Sequence, residues 1–186
     1  MKLAEKNREQ VIDLLCERLA FERSTVRLYD RILEALRLSA DARTRDLLAT
    51  MQKHREEEDQ IARWLEGRIR ELGGDDRAET DLARLATREA RGIEEVAEND
   101  AADVTHLLHA LLAVEGVDNA GWELLVHLAD AAGDGEAKRE LERRLRQERR
   151  HLAFVRDAIE RLAVRTLFGE GYAEEHAMDI AAHVPP

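Results

Sequence analysis

The sequence predicts an all-α fold built from four long helices, on three observations. The chain has 186 residues but only ten Gly and two Pro, and both Pro stand at its extreme C-terminus, so its interior is almost free of helix breakers. Ala, Leu, Glu and Arg dominate, all strong helix formers. Apolar residues recur at spacings of three and four along four separate segments, the period of one helix face. The length favours a single domain spanning 1–186 with a core of its own. With two Trp, two Tyr and three Phe, that core must be mostly aliphatic side chains and close-packed alanine.

The first segment runs over about 6–38 and ends at "LSAD", where Ser39 and Asp41 suit a turn and the cap of the next helix. The second covers about 42–72 and stops at Gly73-Gly74, a helix C-terminal signal. The third follows "ENDAAD" and runs over about 103–132 to the loop "GDG". The fourth covers about 136–166 and stops before Gly169. Between the second and third lie residues 73–102, with a weaker apolar pattern in Leu82, Leu85, Ile93 and Val96. A connection that long can travel the length of a bundle, so the helices on either side of it can lie parallel. The pattern reads as two antiparallel hairpins joined by a long crossover, with a bundle over about 6–166. A tail over about 167–186 carries a short amphipathic helix at 172–183.

Composition excludes several classes of function. The net charge of −11 argues against a nucleic-acid partner. The longest purely apolar run is five residues, Ala110 to Val114, too short to cross a membrane. "MKLAEKNREQ" has no signal-peptide apolar region, and the single Cys16 gives no disulfide framework, so a cytoplasmic protein is expected and Cys16 is read as a small core residue.

The two hairpins resemble each other. A shift of 93 places Glu22 on Glu115 and Tyr29 on Trp122, and a shift of 90 places Glu58 on Glu148 and Ile69 on Ile159. Each helix carries one glutamate at the middle of its apolar face. Glu22 falls among Leu15, Leu19, Val26 and Leu33; Glu58 among Met51, Leu65 and Ile69; Glu115 among Leu108, Leu112, Asn119 and Val126; and Glu148 among Leu145, Leu152, Val155 and Ile159. One glutamate on an apolar stripe is usually a boundary residue. Four at matched heights are buried carboxylates that must be protonated, paired with bases or neutralised by cations. The apolar faces offer few Arg or Lys, whereas two divalent ions supply the four positive charges that four carboxylates need. A protonated or ion-paired polar core is the competing reading. His151 stands three residues after Glu148, and Glu and His at i and i+3 on one helix can both reach a metal in a bundle core.

With these residues the chain resembles the ferritin-like superfamily, which includes bacterioferritins and rubrerythrins. That pattern places a Glu on the first and third helices and Glu-x-x-His on the second and fourth; Glu22, Glu115 and Glu148-Arg149-Arg150-His151 match it. "AVEGVDNAGWELL" also resembles the third helix of bacterial ferritin-like proteins of unassigned function. The resemblance implies that Glu58 and Glu148 bridge two metals while Glu22 and Glu115 each hold one. It also implies that Tyr29 and Trp122, each seven residues after a helix Glu, are aromatics that support the ligands. One position departs: Ile61 stands where the second helix should carry histidine. His54, one turn before Glu58, is the candidate replacement, with a helix-surface residue as its competing reading. Glu57-x-x-Gln60 is an alternative registration, with Gln60 pointing away from the core, and Asp118, three after Glu115, is a candidate extra ligand. His106, His109 and His127 lie too far along the third helix to join the Glu115 level, and His176 and His183 have no evident partners.

The expected function is therefore that of a dimetal carboxylate protein that binds Fe(II) and reacts with O₂ or peroxide, ferroxidase-like. The two metal ions are expected to be Fe, and carboxylate and imidazole ligands also suit Mn or Zn. The alternative is a non-enzymatic helical bundle with a structural or vestigial metal site. A homodimer is compatible with an acidic four-helix bundle.

Overall fold

The computed structural model describes residues 1–98 and 103–169, and every regular element among them is helical. After a short 3₁₀ turn at Lys2–Ala4 come α1 (Arg8–Leu38), the single-turn α2 (Ala42–Arg45), α3 (Leu48–Glu71), α4 (Asp81–Ala97), α5 (Val104–Ala131) and α6 (Gly135–Phe168). The expected short helix at 172–183, with His176 and His183, lies outside the described residues.

The four expected long helices are α1, α3, α5 and α6. The second begins later than its apolar pattern suggested. Asp41 caps α2 by accepting from the Arg43 amide at 2.9 Å, and the chain turns once more before α3 starts at Leu48. At the other end of α3, Gly73 takes φ +76°, a conformation that costs a β-carbon-bearing residue strain. The Gly74 and Gly73 amides then donate to the Ile69 and Arg70 carbonyls, each at 2.9 Å, closing the helix as its glycine pair predicted.

Side-chain pairings fix the topology. Arg55 bonds Asp30 and Arg23 bonds Glu66, so α3 runs antiparallel to α1. Tyr29 bonds Glu115 and Trp122 bonds Glu22, so α5 is antiparallel to α1 as well. Hence α3 and α5 are parallel, as a long crossover requires. Arg149 bonds Glu123, which makes α5 and α6 the second antiparallel hairpin.

The crossover differs from the expectation. It is not a weakly patterned connection but contains α4, which packs along α1 through alanines: Ala83, Ala86, Ala90 and Ala97 are buried while Leu85 and Val96 are exposed. Small side chains at three-, four- and seven-residue spacing let two helix backbones approach closely, so the larger apolar residues are left outside. Arg27 on α1 reaches Glu94, and Arg31 reaches the Ala97 carbonyl, so α4 runs parallel to α1.

The apolar interior is not continuous. One cluster holds Leu28, Ile32, Leu36, Met51, Leu108, Leu111, Val155 and Ile159. The other holds Leu15, Leu19, Ile61, Leu65, Ile69, Leu125, Leu141 and Leu145. Glu22, Glu58, Glu115 and Glu148 lie between the two in sequence on all four long helices.

Candidate metal centre

Glu22, Glu58, Glu115 and Glu148 each have 0% of their surface exposed, as does His151, and Asp118 is nearly as deeply buried. The structure brings these side chains together into two candidate ligand groups. One consists of Glu58, Glu115, Glu148 and His151, the other of Glu22, Asp118 and Glu148, and within each the ligand atoms all lie within 4.8 Å of one another. Glu148 belongs to both. The Glu22 group contains no histidine, and Ile61, where the resemblance expects one, is buried among apolar neighbours.

Tyr29 and Trp122 both touch the cluster, and they do so reciprocally. The Tyr29 hydroxyl donates to Glu115 Oε1 at 2.6 Å, and the Trp122 indole donates to Glu22 Oε1 at 3.0 Å. Because Tyr29 matches Trp122 and Glu22 matches Glu115 under the same shift of 93, the two bonds are images of each other in the two hairpins. Each aromatic fixes one oxygen of its glutamate and leaves the other free.

Within this cluster six buried carboxylate oxygens have no hydrogen-bond partner: Glu22 Oε2, Glu58 Oε2, Glu115 Oε2, Asp118 Oδ2 and both oxygens of Glu148. Orphaned acceptors at this density are costly unless something positive meets them. Burial drives the carboxyl groups toward the protonated form. Glu22 is pushed up to about 8 by burial and then by Asp118, and Glu58, Glu115 and Glu148 well above their ordinary value, chiefly by burial. Asp118 also moves up through burial, against the pull of Arg18.

Arg18 is a component that the sequence reading missed. It is 3% exposed, its Nη1 lies 3.0 Å from Asp118 Oδ1, and its guanidinium lies over the Phe21 ring at 5.1 Å from the centroid. Gly121 makes room for it: a β-carbon there would lie 2.2–2.7 Å from the guanidinium atoms. Four glutamates and Asp118 carry five negative charges when ionised, and Arg18, which also bonds Glu17 at 3.1 Å, stands against only one of them, so two divalent ions would meet the charge that remains.

Glu57, considered from the sequence only in the alternative registration with Gln60, has a different role. His151 Nε2 lies 2.7 Å from Glu57 Oε2, while Nδ1 lies 2.7 Å from Glu58 Oε1 and 3.5 Å from Glu148 Oε2. Burial holds the His151 imidazole down at about 4, so it is neutral and donates from only one nitrogen. Burial is the largest influence on the Glu57 carboxyl and raises it, but the bond from His151 together with the neighbouring His151, Lys53 and His54 leaves it below its ordinary value. Glu57 is therefore the ionised acceptor for Nε2–H, and the Nδ1 lone pair faces the inner carboxylates. A histidine whose second nitrogen is anchored on a carboxylate is the usual arrangement for a metal ligand.

His54 is buried rather than on the helix surface, but the structure does not place it at the Glu22 group. Its ring stacks on His151, with centroids 4.2 Å apart and 30° between planes, and it forms a third candidate group with Glu57 and His151. Helical side chains lean toward the N-terminus of their helix, which carries His54 away from the level of Glu58. Gln60 is exposed, as the main registration required, and so are His106, His109 and His127; Cys16 is buried.

No helix among the described residues is long and apolar enough to cross a membrane. A family model described as a domain of unknown function, DUF892, matches residues 10–167. No curated protein matches the chain. Among solved structures, a ferritin-like, diiron-carboxylate protein from Bacillus anthracis str. Ames is similar, with a TM-score of 0.63 at 19% identity over 82% of this chain and 96% of that one. An archaeal Dps homologue from Halobacterium salinarum is similar with a TM-score of 0.65 at 21% identity, over 82% of this chain and 80% of that one. These likenesses show a ferritin-like fold.

Proposed function

The chain belongs to the DUF892 family, and we propose that it is a dimetal carboxylate protein that binds Fe(II) and reacts with O₂ or peroxide. The observation that carries this reading is the set of six buried carboxylate oxygens without partners, gathered from four helices around one shared residue, Glu148. Glu58, Glu115, Glu148 and the Nδ1 of His151 would hold one ion; Glu22, Asp118 and Glu148 would hold the other. Two Fe(II) bound there supply two electrons, the number that a two-electron acceptor such as peroxide takes up.

The chain's own groups set the conditions. Tyr29 and Trp122 hold one oxygen of Glu115 and Glu22 in place, so the free oxygen of each is already oriented. Glu57 holds the His151 Nε2 proton and keeps Nδ1 open. Arg18 offsets Asp118, so the loaded centre is neutral in a setting where an uncompensated charge is expensive. One group has a nitrogen donor and the other has only carboxylates, so the two positions differ in affinity. The alternative, a structural metal site without chemistry, is favoured by the complete burial of the glutamates.

Anaerobic Fe(II) loading followed by exposure to O₂ or peroxide separates the two. The proposal expects two Fe(II) per chain, oxidised faster than in buffer, and loss of both properties in Glu148→Gln. Two tightly held ions with no acceleration of oxidation would establish the structural role instead.

A further inference from the structure

We propose that His54, Glu57 and the outer nitrogen of His151 form a separate site for one divalent transition-metal ion, a way station between solvent and the buried centre. The proposal rests on the reading of the inner cluster as a metal centre. Ligand atoms of the three residues lie within 4.8 Å of one another. His54 is 6% exposed, yet its Nδ1 has no hydrogen-bond partner. Its ring is fixed by aromatic contacts alone: stacked on His151, edge-on to Phe154 at 5.1 Å and edge-on to Tyr29 at 6.5 Å. A buried imidazole held this firmly with an unused nitrogen is a preformed ligand. Two imidazoles and one carboxylate suit Zn, Co or Fe(II), with water completing the shell.

Glu57 connects the site to solvent. Its side chain is 18% exposed where that of His151 is 0%, and Lys53 Nζ stands 3.7 Å from Glu57 Oε1, a mobile cation that an incoming ion displaces.

His151 supplies the link to the interior, because its two nitrogens face opposite ways. A neutral imidazole has one lone pair to offer. An ion at the outer site takes Nε2 and leaves Nδ1–H donating to Glu58. An ion in the buried centre takes Nδ1 and leaves Nε2–H donating to Glu57. The ring carries one proton in both states: as the ion moves inward, Nε2 takes a proton from water by way of the partly exposed Glu57 and the proton leaving Nδ1 passes to Glu58, one taken up and one given out. Occupancy of His151 from outside and from inside is therefore mutually exclusive, and an ion passes inward as the ring changes tautomer.

Co(II) binding to the metal-free full chain tests this, with d–d absorption reading ligation and stopped flow reading rate. The variants are His54→Ala, His54→Phe, Glu57→Gln and Glu148→Gln. His54→Phe keeps the ring stack without a donor, so it separates ligation from packing. Glu57→Gln keeps an acceptor for Nε2–H while removing the charge. The proposal expects a fast phase in the wild type that both His54 variants and Glu57→Gln lose. The buried centre in the two His54 variants should fill at least about tenfold more slowly, the low end of what loss of a group supporting a histidine ligand costs, to an unchanged final stoichiometry. Glu148→Gln should keep one ion whose absorption disappears when His54→Phe is added. Wild-type rates in His54→Phe and Glu57→Gln would overturn the proposal, as would a lower final stoichiometry at an unchanged rate, which would make His54 a ligand of the buried centre. If Glu148→Gln binds no Co(II) while the wild type binds two, the buried centre stands and the outer site falls. If the wild type binds one ion that Glu148→Gln retains, the outer site stands and the buried centre falls.

Discussion

Removing the metals should make stability fall as pH rises from 6.5 to 8. In the metal-free protein the buried glutamates keep their protons, whereas in the unfolded chain they are ionised. Glu22 is pushed up to about 8 from an ordinary 4.5, so the folded state binds a proton that unfolding releases. An acid raised in this way contributes stability that is lost as pH climbs toward the folded-state value. His54 and His151, held down at about 3 and about 4, act in the opposite direction: unfolded imidazole is still half protonated at its ordinary 6.5, so the two together return roughly 0.8 kcal/mol between pH 6.5 and 8. The four glutamates outweigh them. Over 1.5 pH units, at about 1.36 kcal/mol per unit, Glu22 by itself removes roughly 2 kcal/mol, and Glu58, Glu115 and Glu148 add to it in the same direction. For a chain of this size about 2 kcal/mol corresponds to a Tm lower by about 4–8 °C. Circular-dichroism melts with a chelator, and again with saturating Mn(II) or Zn(II), read this directly. The loaded protein, with its carboxylates already ionised, should melt nearly independently of pH over this window. A chelated protein whose Tm is flat or rises between pH 6.5 and 8 would refute the reasoning.

Two further outcomes follow from individual side chains. Gly121→Ala should displace the Arg18 guanidinium from Asp118 and cost about 1–3 kcal/mol, the usual loss on overpacking a buried site, read as a fall in urea midpoint; a midpoint within error of wild type would show that Arg18 relocates without consequence. In Co(II) titrations, His151→Ala should weaken the Glu58–Glu115 position most, and Ile61→His should raise occupancy of the Glu22–Asp118 position. Two equal, tight sites in the wild type would contradict this asymmetry.

Much of this candidate site was legible in the sequence because its buried carboxylates break a strong pattern. Glu22, Glu58, Glu115 and Glu148 interrupt aliphatic stripes on four helices, and the matched shifts of 93 and 90 put them at one height. Tyr29 and Trp122 were reached through the same symmetry. What was missed lies off the stripes. Glu57 belongs to the charged run "REEED", which reads as a solvated face, and only its place three residues after His54 hinted otherwise. Arg18 looks like a flanking arginine on α1. Its burial depends on Gly121 and Asp118, a hundred residues away, and a helix-by-helix reading cannot pair them. The crossover helix is under-read from sequence because Leu85 and Val96 carry its hydropathy signal, whereas the packing face is the alanine series Ala83, Ala86, Ala90 and Ala97. Alanine gives a weak hydropathy signal but permits the closest approach of two helices.

Crystals of the Fe(II)-loaded chain, measured above and below the iron absorption edge, decide whether the buried glutamates hold metal. Two anomalous peaks are expected about 3.5–4 Å apart, the usual spacing of a two-metal site, with Glu148 between them, one beside His151 and Glu115 and the other beside Glu22 and Asp118. An interior without anomalous density, in which Glu22, Glu58, Glu115 and Glu148 bond one another as protonated carboxylic acids, would contradict this expectation.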